Sequence, residues 1–195
     1  MAPSATADPQ ADYDTRINPR NLWYVAAALA VLIAAVESDN HFFLNFLHVI
    51  TGLLWTGVDL FMGFMVSPIL RRVEMPARRA IVTRLAPRML FMMPTVSIVA
   101  TTSGFYLAEG GGHFDLPWPG FGWVVASLVV VAILTVQGLC MLTPINVMVY
   151  LELRNETPDM DRVSRLMRIY FRLTASQGVM QVAIIVIMAR FVTGI

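Results

Sequence analysis

His48 and Asp59 lie eleven residues apart in one strongly apolar segment, and both side chains are able to do chemistry. Eleven residues make about three turns of an α-helix, so on one helix the two side chains fall on the same face. Their separation along the axis, about 16 Å, is too long for both to bind one metal ion. Ionisable side chains are costly at membrane depth and are rarely kept there without a purpose. We therefore expect two separate roles or a proton relay.

The same face of this predicted helix also carries an indole and a thioether. His48, Gly52, Trp55, Asp59 and Met62 follow one another at spacings of three or four residues. Neutral imidazole binds iron and copper well, so we expect His48 to be a haem or metal ligand. Trp55 would then pack against the macrocycle, and Asp59 is the candidate catalytic residue, carrying protons toward the site. Structural roles stay open: an interhelical hydrogen bond for His48, and a bond from Asp59 to a facing Thr, Gln or Arg.

Polar side chains in the other apolar segments offer partners for such a site. Gln177 and Gln181 are four residues apart, and Thr174 shares their helical face. Further polar residues are spread over two other segments: Thr95, Thr101, Thr102 and Ser103, then Gln137, Thr143 and Asn146. Such groups usually hold helices together, but together they could also line a polar cavity or a quinone site.

The chain that positions these residues is apolar along most of its length. Of its 195 residues, 57% are hydrophobic and 14% are charged, whereas soluble domains are nearer a quarter charged. Five apolar segments, roughly 22–38, 43–70, 88–108, 121–150 and 173–193, predict about five transmembrane helices. We predict an all-α, polytopic membrane helical bundle that forms one domain over 22–195. The polar residues 1–21 are expected to be a disordered cytoplasmic tail.

The distribution of arginine predicts the orientation of the bundle. The chain has fourteen Arg and no Lys, which excludes Schiff-base chemistry and an ammonium general base. The predicted loops at 71–88 and 151–172 are rich in Arg, whereas those at 37–42 and 109–120 have none. The positive-inside rule then predicts that the N-terminus lies in the cytoplasm. We expect a multi-pass protein of a bacterial-type inner membrane.

Several smaller features add expectations. The stretch Met160–Arg172 alternates apolar residues with Arg, which predicts an interfacial amphipathic segment or a helix extension near anionic lipid headgroups. Cys140 is the single cysteine, so an intrachain disulfide and a Cys-based metal cluster are excluded, and we expect it to be a small packing residue. Pro68, Pro94 and Pro144 lie within helical runs and are expected to kink or end them.

A family likeness enters with the second apolar segment. The sequence LHVITGLLWTG, running to SPILRR, resembles the first core helix of copper-resistance-D-like proteins and of HemJ-type protoporphyrinogen oxidases. The following RRAIVTRLAPRML and the helix ending in SGFYLAEGG are similar in layout, so the likeness covers roughly residues 43–110. It implies a small helical bundle that handles haem or copper, with His48 in the position of the family histidine. HemJ-type proteins also use an intramembrane lysine, which this chain lacks.

The sequence thus favours an integral membrane protein that binds haem b, or alternatively copper, through His48 in a redox or metal-handling role. Two other functions stay open: a non-catalytic membrane subunit or scaffold of a larger complex, and a small-solute or copper transporter with Asp59 in the path. The expected partners are the lipid bilayer and other membrane subunits or a second copy of the chain. Nucleic acid is not expected.

Overall fold

The computed structural model describes residues 22–155 and 157–193, and every regular element in this part of the chain is helical. Five helices follow one another: α1 (Leu22–Glu37), α2 (His41–Arg72), α3 (Met75–Gly110), α4 (Gly120–Leu153) and α5 (Met160–Thr193). One short 3-10 turn, His113–Asp115, lies between α3 and α4. The predicted all-α bundle is confirmed, while the predicted tail over 1–21 lies outside the described residues.

Helices α2 to α5 are long and apolar enough to cross a membrane, and α1 is shorter, with 16 residues. Helices of 32 to 36 residues rise about 50 Å, well beyond the roughly 30 Å of a bilayer core. The extra length lies at the Arg-rich end, because α3 begins at Met75 and α5 at Met160. This corrects the predicted loops at 71–88 and 151–172, most of whose Arg residues belong to helices. Of the two forms expected for 160–172, the helix extension is the one present.

Helix α2 is central in the bundle. It packs along α3 and α5, while α1 lies against α3 and α2, and α4 packs on α5. Fewer than a third of the residues in each spanning window are buried, and large apolar side chains such as Phe42, Phe64 and Val186 are more than half exposed. An apolar outer surface of this kind suits contact with lipid, because lipid chains are as apolar as the side chains themselves.

Two π-helical segments interrupt the regular helices, Phe61–Val66 in α2 and Gln137–Leu142 in α4. Each is followed at once by a hydroxyl residue and a proline, Pro68 in α2 and Pro144 in α4. Proline has no N–H and its ring clashes with the carbonyl four residues earlier, so a wider turn before it relieves the conflict. Neither proline ends its helix, and Pro94 likewise lies inside α3.

Cys140 lies in the second π-helical segment. Its side chain is exposed, and so are the neighbouring Leu139 and Met141. Cys140, which we expected to be a small packing residue, is therefore not packed between helices, because this face of α4 points away from the other helices.

Helices α2 and α5 approach closely because small residues meet between them. A Cβ added to Gly63 would lie 2.7 Å from the backbone Cα of Ala175. About one turn further along the contact, a Cβ at Gly178 would lie 2.7 Å from a methyl group of Leu60. Backbones that approach this closely hold α5 against the middle of α2, where Asp59 lies.

Candidate functional site

Asp59 is buried in the middle of α2, with 1% of its surface exposed. Gln181 of α5 donates a hydrogen bond from Nε2 to Asp59 Oδ2 at 3.0 Å. Trp55, one turn earlier on α2, lies within hydrogen-bonding reach of the carboxyl group, and Tyr170 of α5 interacts with it electrostatically. Among the described residues, none makes a hydrogen bond of standard geometry to Oδ1. The bond to a facing Gln that the sequence left open is thus present, and it satisfies one of the two oxygens.

Asp59 lies deep in the apolar span, where a missing hydrogen bond is costly. No charged residue lies between Asp59 and Arg71, a rise of about 18 Å along the helix. On the other side, eighteen residues separate Asp59 from the start of α2 at His41, a rise of about 27 Å. Asp59 therefore lies well inside the apolar span. There, a polar atom without a hydrogen-bond partner lowers the stability of the fold by about 1 to several kcal/mol.

A cleft of about 200 Å³ opens beside Asp59, between α3 and α4. Asp59, Trp55, Tyr170 and Gln177 lie at its inner end. The polar residues of its two walls are Ser97, Thr101 and Thr102 from α3, and Thr135, Thr143 and Asn146 from α4. Five of the cavity residues proposed from the sequence therefore do line one cleft: Thr101, Thr102, Thr143, Asn146 and Gln177.

The cleft exists because α3 and α4 diverge. Helix α3 contacts α4 through the segment Thr143–Leu153, whereas Gly120–Val136 packs on α5 instead. Near the point of contact, Asn146 donates from Nδ2 to the Ala86 carbonyl at 3.1 Å and ties the two helices together. Beyond it the walls separate, so the cleft opens sideways, toward the space that lipid occupies around a spanning bundle.

Both π-helical segments lie next to this cleft. The segment in α2 begins at Phe61, two residues after Asp59, and the segment in α4 contributes Gly138 and Leu142 to the wall. Gln177 donates to the Leu134 carbonyl at 2.9 Å, just before the α4 segment begins. Wider helical turns of this kind occur frequently at functional sites.

His48 lies outside the cleft, against α3. Its Nδ1 is 2.9 Å from the Ala100 carbonyl oxygen and 3.4 Å from Ser103 Oγ. The ring rests on Gly104, where an added Cβ would lie 2.6 Å from Cε1. A carbonyl oxygen can only accept, so Nδ1 donates in this bond; in the neutral ring Nε2 is then the unprotonated nitrogen, which is the form that binds a metal. The interhelical hydrogen bond that the sequence left open is therefore present.

The residues present fit a haem or metal centre only in part. Within residues 22–155 and 157–193, no group of three or more His, Cys, Asp or Glu side chains could hold a metal ion. His113 follows the end of α3, which lies six residues and about 9 Å beyond Gly104, and its ring packs edge-on against Phe191. His48 thus has the chemistry of one metal or haem ligand. Trp55, which we expected to pack against the macrocycle, lines the cleft, whereas His48 does not.

One residue at the inner end of the cleft is missing from the sequence prediction. Tyr170 is buried, lines the cleft and lies near Asp59. It precedes Thr174 by four residues and therefore continues the face that Gln177 and Gln181 share. Extending that helical stripe by one turn would have found it, but the Arg-rich sequence around it indicated a loop.

A comparison of the chain with protein-family models, curated proteins and solved structures finds no match in any of the three. The resemblance of residues 43–110 to copper-resistance-D-like and HemJ-type proteins therefore stays a prediction. What the described residues offer is a multi-pass helical bundle with a buried carboxyl group beside a laterally open cleft.

Proposed function

We propose that the protein binds the aromatic headgroup of a lipid-soluble molecule of the hydroquinone class in the cleft between α3 and α4. One observation carries the proposal: Asp59 lines this cleft, and its buried Oδ1 makes no hydrogen bond of standard geometry to any described residue. A buried acceptor without a partner costs about 1–3 kcal/mol. A phenolic O–H of the ligand is a neutral donor that would satisfy it and that can enter from lipid.

The size of the cleft supports a single ring. A cavity of about 150 Å³ lined by apolar side chains holds one benzene molecule. The volume of about 200 Å³ beside Asp59 therefore suits one substituted six-membered ring and is too small for the four pyrrole rings of haem. The thioethers of Met89 and Met93 and the indole of Trp55 line the same space, and sulfur–aromatic contacts contribute about 0.3–1.5 kcal/mol each.

The lateral opening supports a ligand that keeps its tail in the bilayer. Ile98 of α3 and Leu139 of α4 line the cleft and are each about half exposed, so they form its rim on the lipid side. A hydrocarbon tail could pass between them without crossing the bundle. In this proposal Asp59, the candidate catalytic residue, accepts the hydrogen bond from the ring, and the Thr101 and Thr102 hydroxyls face the remaining ring substituents.

The test is the affinity of the purified protein for a short-chain hydroquinone, for its dimethyl ether and for an aromatic amine of the same size. We expect the hydroquinone to bind best, because the ether has no O–H to donate. Asp59→Leu should weaken that binding by up to about tenfold, since it removes the acceptor and a hydrogen bond contributes about 0.5–1.5 kcal/mol. Thr101→Phe, which fills the cleft, should abolish it.

A matched control separates the cleft from the lipid-facing surface. Val129 lies on α4, is 53% exposed and does not line the cleft, so Val129→Phe adds the same kind of ring elsewhere and should leave affinity unchanged. Equal binding of hydroquinone and its ether, or unchanged binding by Thr101→Phe, contradicts the proposal. Preference for the amine would replace the ligand class by a lipid-soluble N–H donor.

A second candidate function is the binding of haem b, or alternatively copper, through His48. It is favoured by the hydrogen bond from Nδ1 to Ala100, which orients the ring and leaves Nε2 as the ligand atom. Haem b would supply one-electron redox chemistry there. A dithionite-reduced minus oxidised spectrum should show a b-type band in the wild type and none in His48→Ala. No Soret band in the wild type, together with no copper by elemental analysis, contradicts this candidate.

A further inference from the structure

We infer that a pocket at the Arg-rich end of the bundle binds the phosphate of an anionic lipid headgroup. The pocket has a volume of about 60 Å³ and lies where the end of α2 meets the first turns of α3 and α5. Four guanidinium groups and two hydroxyl groups line it: Arg71, Arg78, Arg168, Arg172, Ser67 and Ser164. It shares no lining residue with the cleft at Asp59 and does not depend on the hydroquinone proposal.

Arg78 is a fixed cation at the centre of this arrangement. Its Nε donates to the Leu70 carbonyl at 2.8 Å, and its Nη2 donates to the carbonyls of Arg71 and Val73 at 3.2 and 3.3 Å. Its Nη1 donates to Ser164 Oγ at 3.4 Å, which links α3 to α5. These bonds cap the carbonyl end of α2 and hold the guanidinium in place before any ligand arrives.

Among the described residues, no acidic side chain lines the pocket. No carboxylate in the described ranges forms an ion pair with Arg71, Arg78, Arg168 or Arg172. The pair formed by Glu152 and Arg162 involves none of these four. Several guanidinium groups around one small space, with hydroxyl donors beside them, match the geometry and charge of a phosphate.

The position of the pocket favours a lipid as the source of that phosphate. Arg172 is followed by seventeen uncharged residues, 173–189, so the pocket lies where the apolar part of α5 begins. Its lining includes Leu70, which precedes Arg71 on α2, and Val82, which follows Arg78 on α3, so both lie on the side of these Arg residues that faces the apolar span. A lipid can place its phosphate among the Arg residues and its glycerol and chains along this apolar wall, whereas free phosphate can use the charges alone.

The experiment is native mass spectrometry of the full chain released from uncharged detergent micelles. The protein is titrated with phosphatidylglycerol, with phosphatidylcholine and with phosphatidylglycerol in the presence of equimolar inorganic phosphate. Arg168→Gln and Arg172→Gln each remove one cation from the pocket. Arg165→Gln is the matched control, because Arg165 is exposed on the same helix and does not line the pocket. Thermal unfolding without lipid verifies that each variant is folded.

We expect one phosphatidylglycerol to bind, phosphatidylcholine to bind much more weakly and inorganic phosphate not to compete. Each pocket variant should weaken binding by about fivefold, the effect of about one basic residue near a membrane surface, and Arg165→Gln should leave it unchanged. Equal weakening by Arg165→Gln would overturn the inference, because it would indicate diffuse surface attraction. Full competition by inorganic phosphate would overturn the lipid as the source.

Discussion

Replacing Gly63 by alanine should push α2 and α5 apart. An added Cβ would lie 2.7 Å from both Cα and Cβ of Ala175 and 2.9 Å from its backbone nitrogen. Carbon atoms pack best at about 3.5–4.0 Å, so the helices must separate locally by about 1 Å. A backbone atom cannot rotate aside as a flexible side chain can, and the strain therefore falls on the contact that holds α5 beside Asp59.

The size of the effect follows from two opposing contributions. Adding a methyl group to a filled contact costs about 1–3 kcal/mol. Alanine also favours the helix over glycine by about 1 kcal/mol, which offsets part of that cost. Gly57 is the matched control, because it lies on the same helix and an added Cβ there meets nothing within 4 Å. Gly63→Ala should thus be less stable than Gly57→Ala by about 1–3 kcal/mol.

The assay is reversible unfolding of both variants in mixed micelles, with the denaturing detergent as the variable and far-UV circular dichroism as the signal. We expect Gly57→Ala to match or exceed the wild type in free energy of unfolding, and Gly63→Ala to fall below it. Equal free energies for the two variants would refute the close α2–α5 contact and, with it, the position assigned to Gln181 relative to Asp59.

Three further predictions concern single contacts. Gln181→Leu should lower the free energy of unfolding by about 1–3 kcal/mol, because it leaves both oxygens of Asp59 without a donor, and adding Asp59→Leu should restore most of the loss in the same unfolding assay. Asp159→Ala should lower the free energy of unfolding by about 1 kcal/mol, since this side chain accepts hydrogen bonds from two backbone N–H groups at the start of α5. Asp159→Asn should stay close to the wild type. An equal loss of stability in both variants would contradict the helix cap. Gly104→Ala should displace the His48 ring from α3, which changes the imidazole ¹⁵N shifts in NMR; unchanged shifts would contradict the contact.

The helical membrane bundle could be predicted because the apolar segments are long and separated by polar residues. The bounds of α3 and α5 could not, since both helices continue beyond the bilayer through sequences as rich in Arg as a loop. At that end, apolar residues such as Val82 and Val163 pack against each other and stabilise helix outside the span. Pro68 and Pro144 do not end their helices, because the wider π-helical turns before them relieve the conflict with the proline ring; the predicted kinks stay a prediction.

The candidate site could be predicted by its residues and not by its shape. Spacing alone indicated Asp59 and the face that carries Gln177 and Gln181, and Gln181 does meet Asp59 between α2 and α5 while Gln177 bonds to α4. The cleft depends on the divergence of α3 and α4 beyond Asn146, which is set by packing between distant parts of the chain. The surroundings of His48 could not be predicted for the same reason. His48 shares a helical face with Asp59, but the hydrogen bonds of its ring are to Ala100 and Ser103 of α3.

The most direct test of the central claim is to find where a hydroquinone binds. Purified protein is photolabelled with an azido-hydroquinone, and the labelled peptides are identified by mass spectrometry with and without excess unlabelled hydroquinone. We predict competed labelling within 89–102 of α3 and 134–146 of α4, the two walls of the cleft at Asp59. Labelling spread over the lipid-facing surface, with no competition by the unlabelled ligand, would contradict the account.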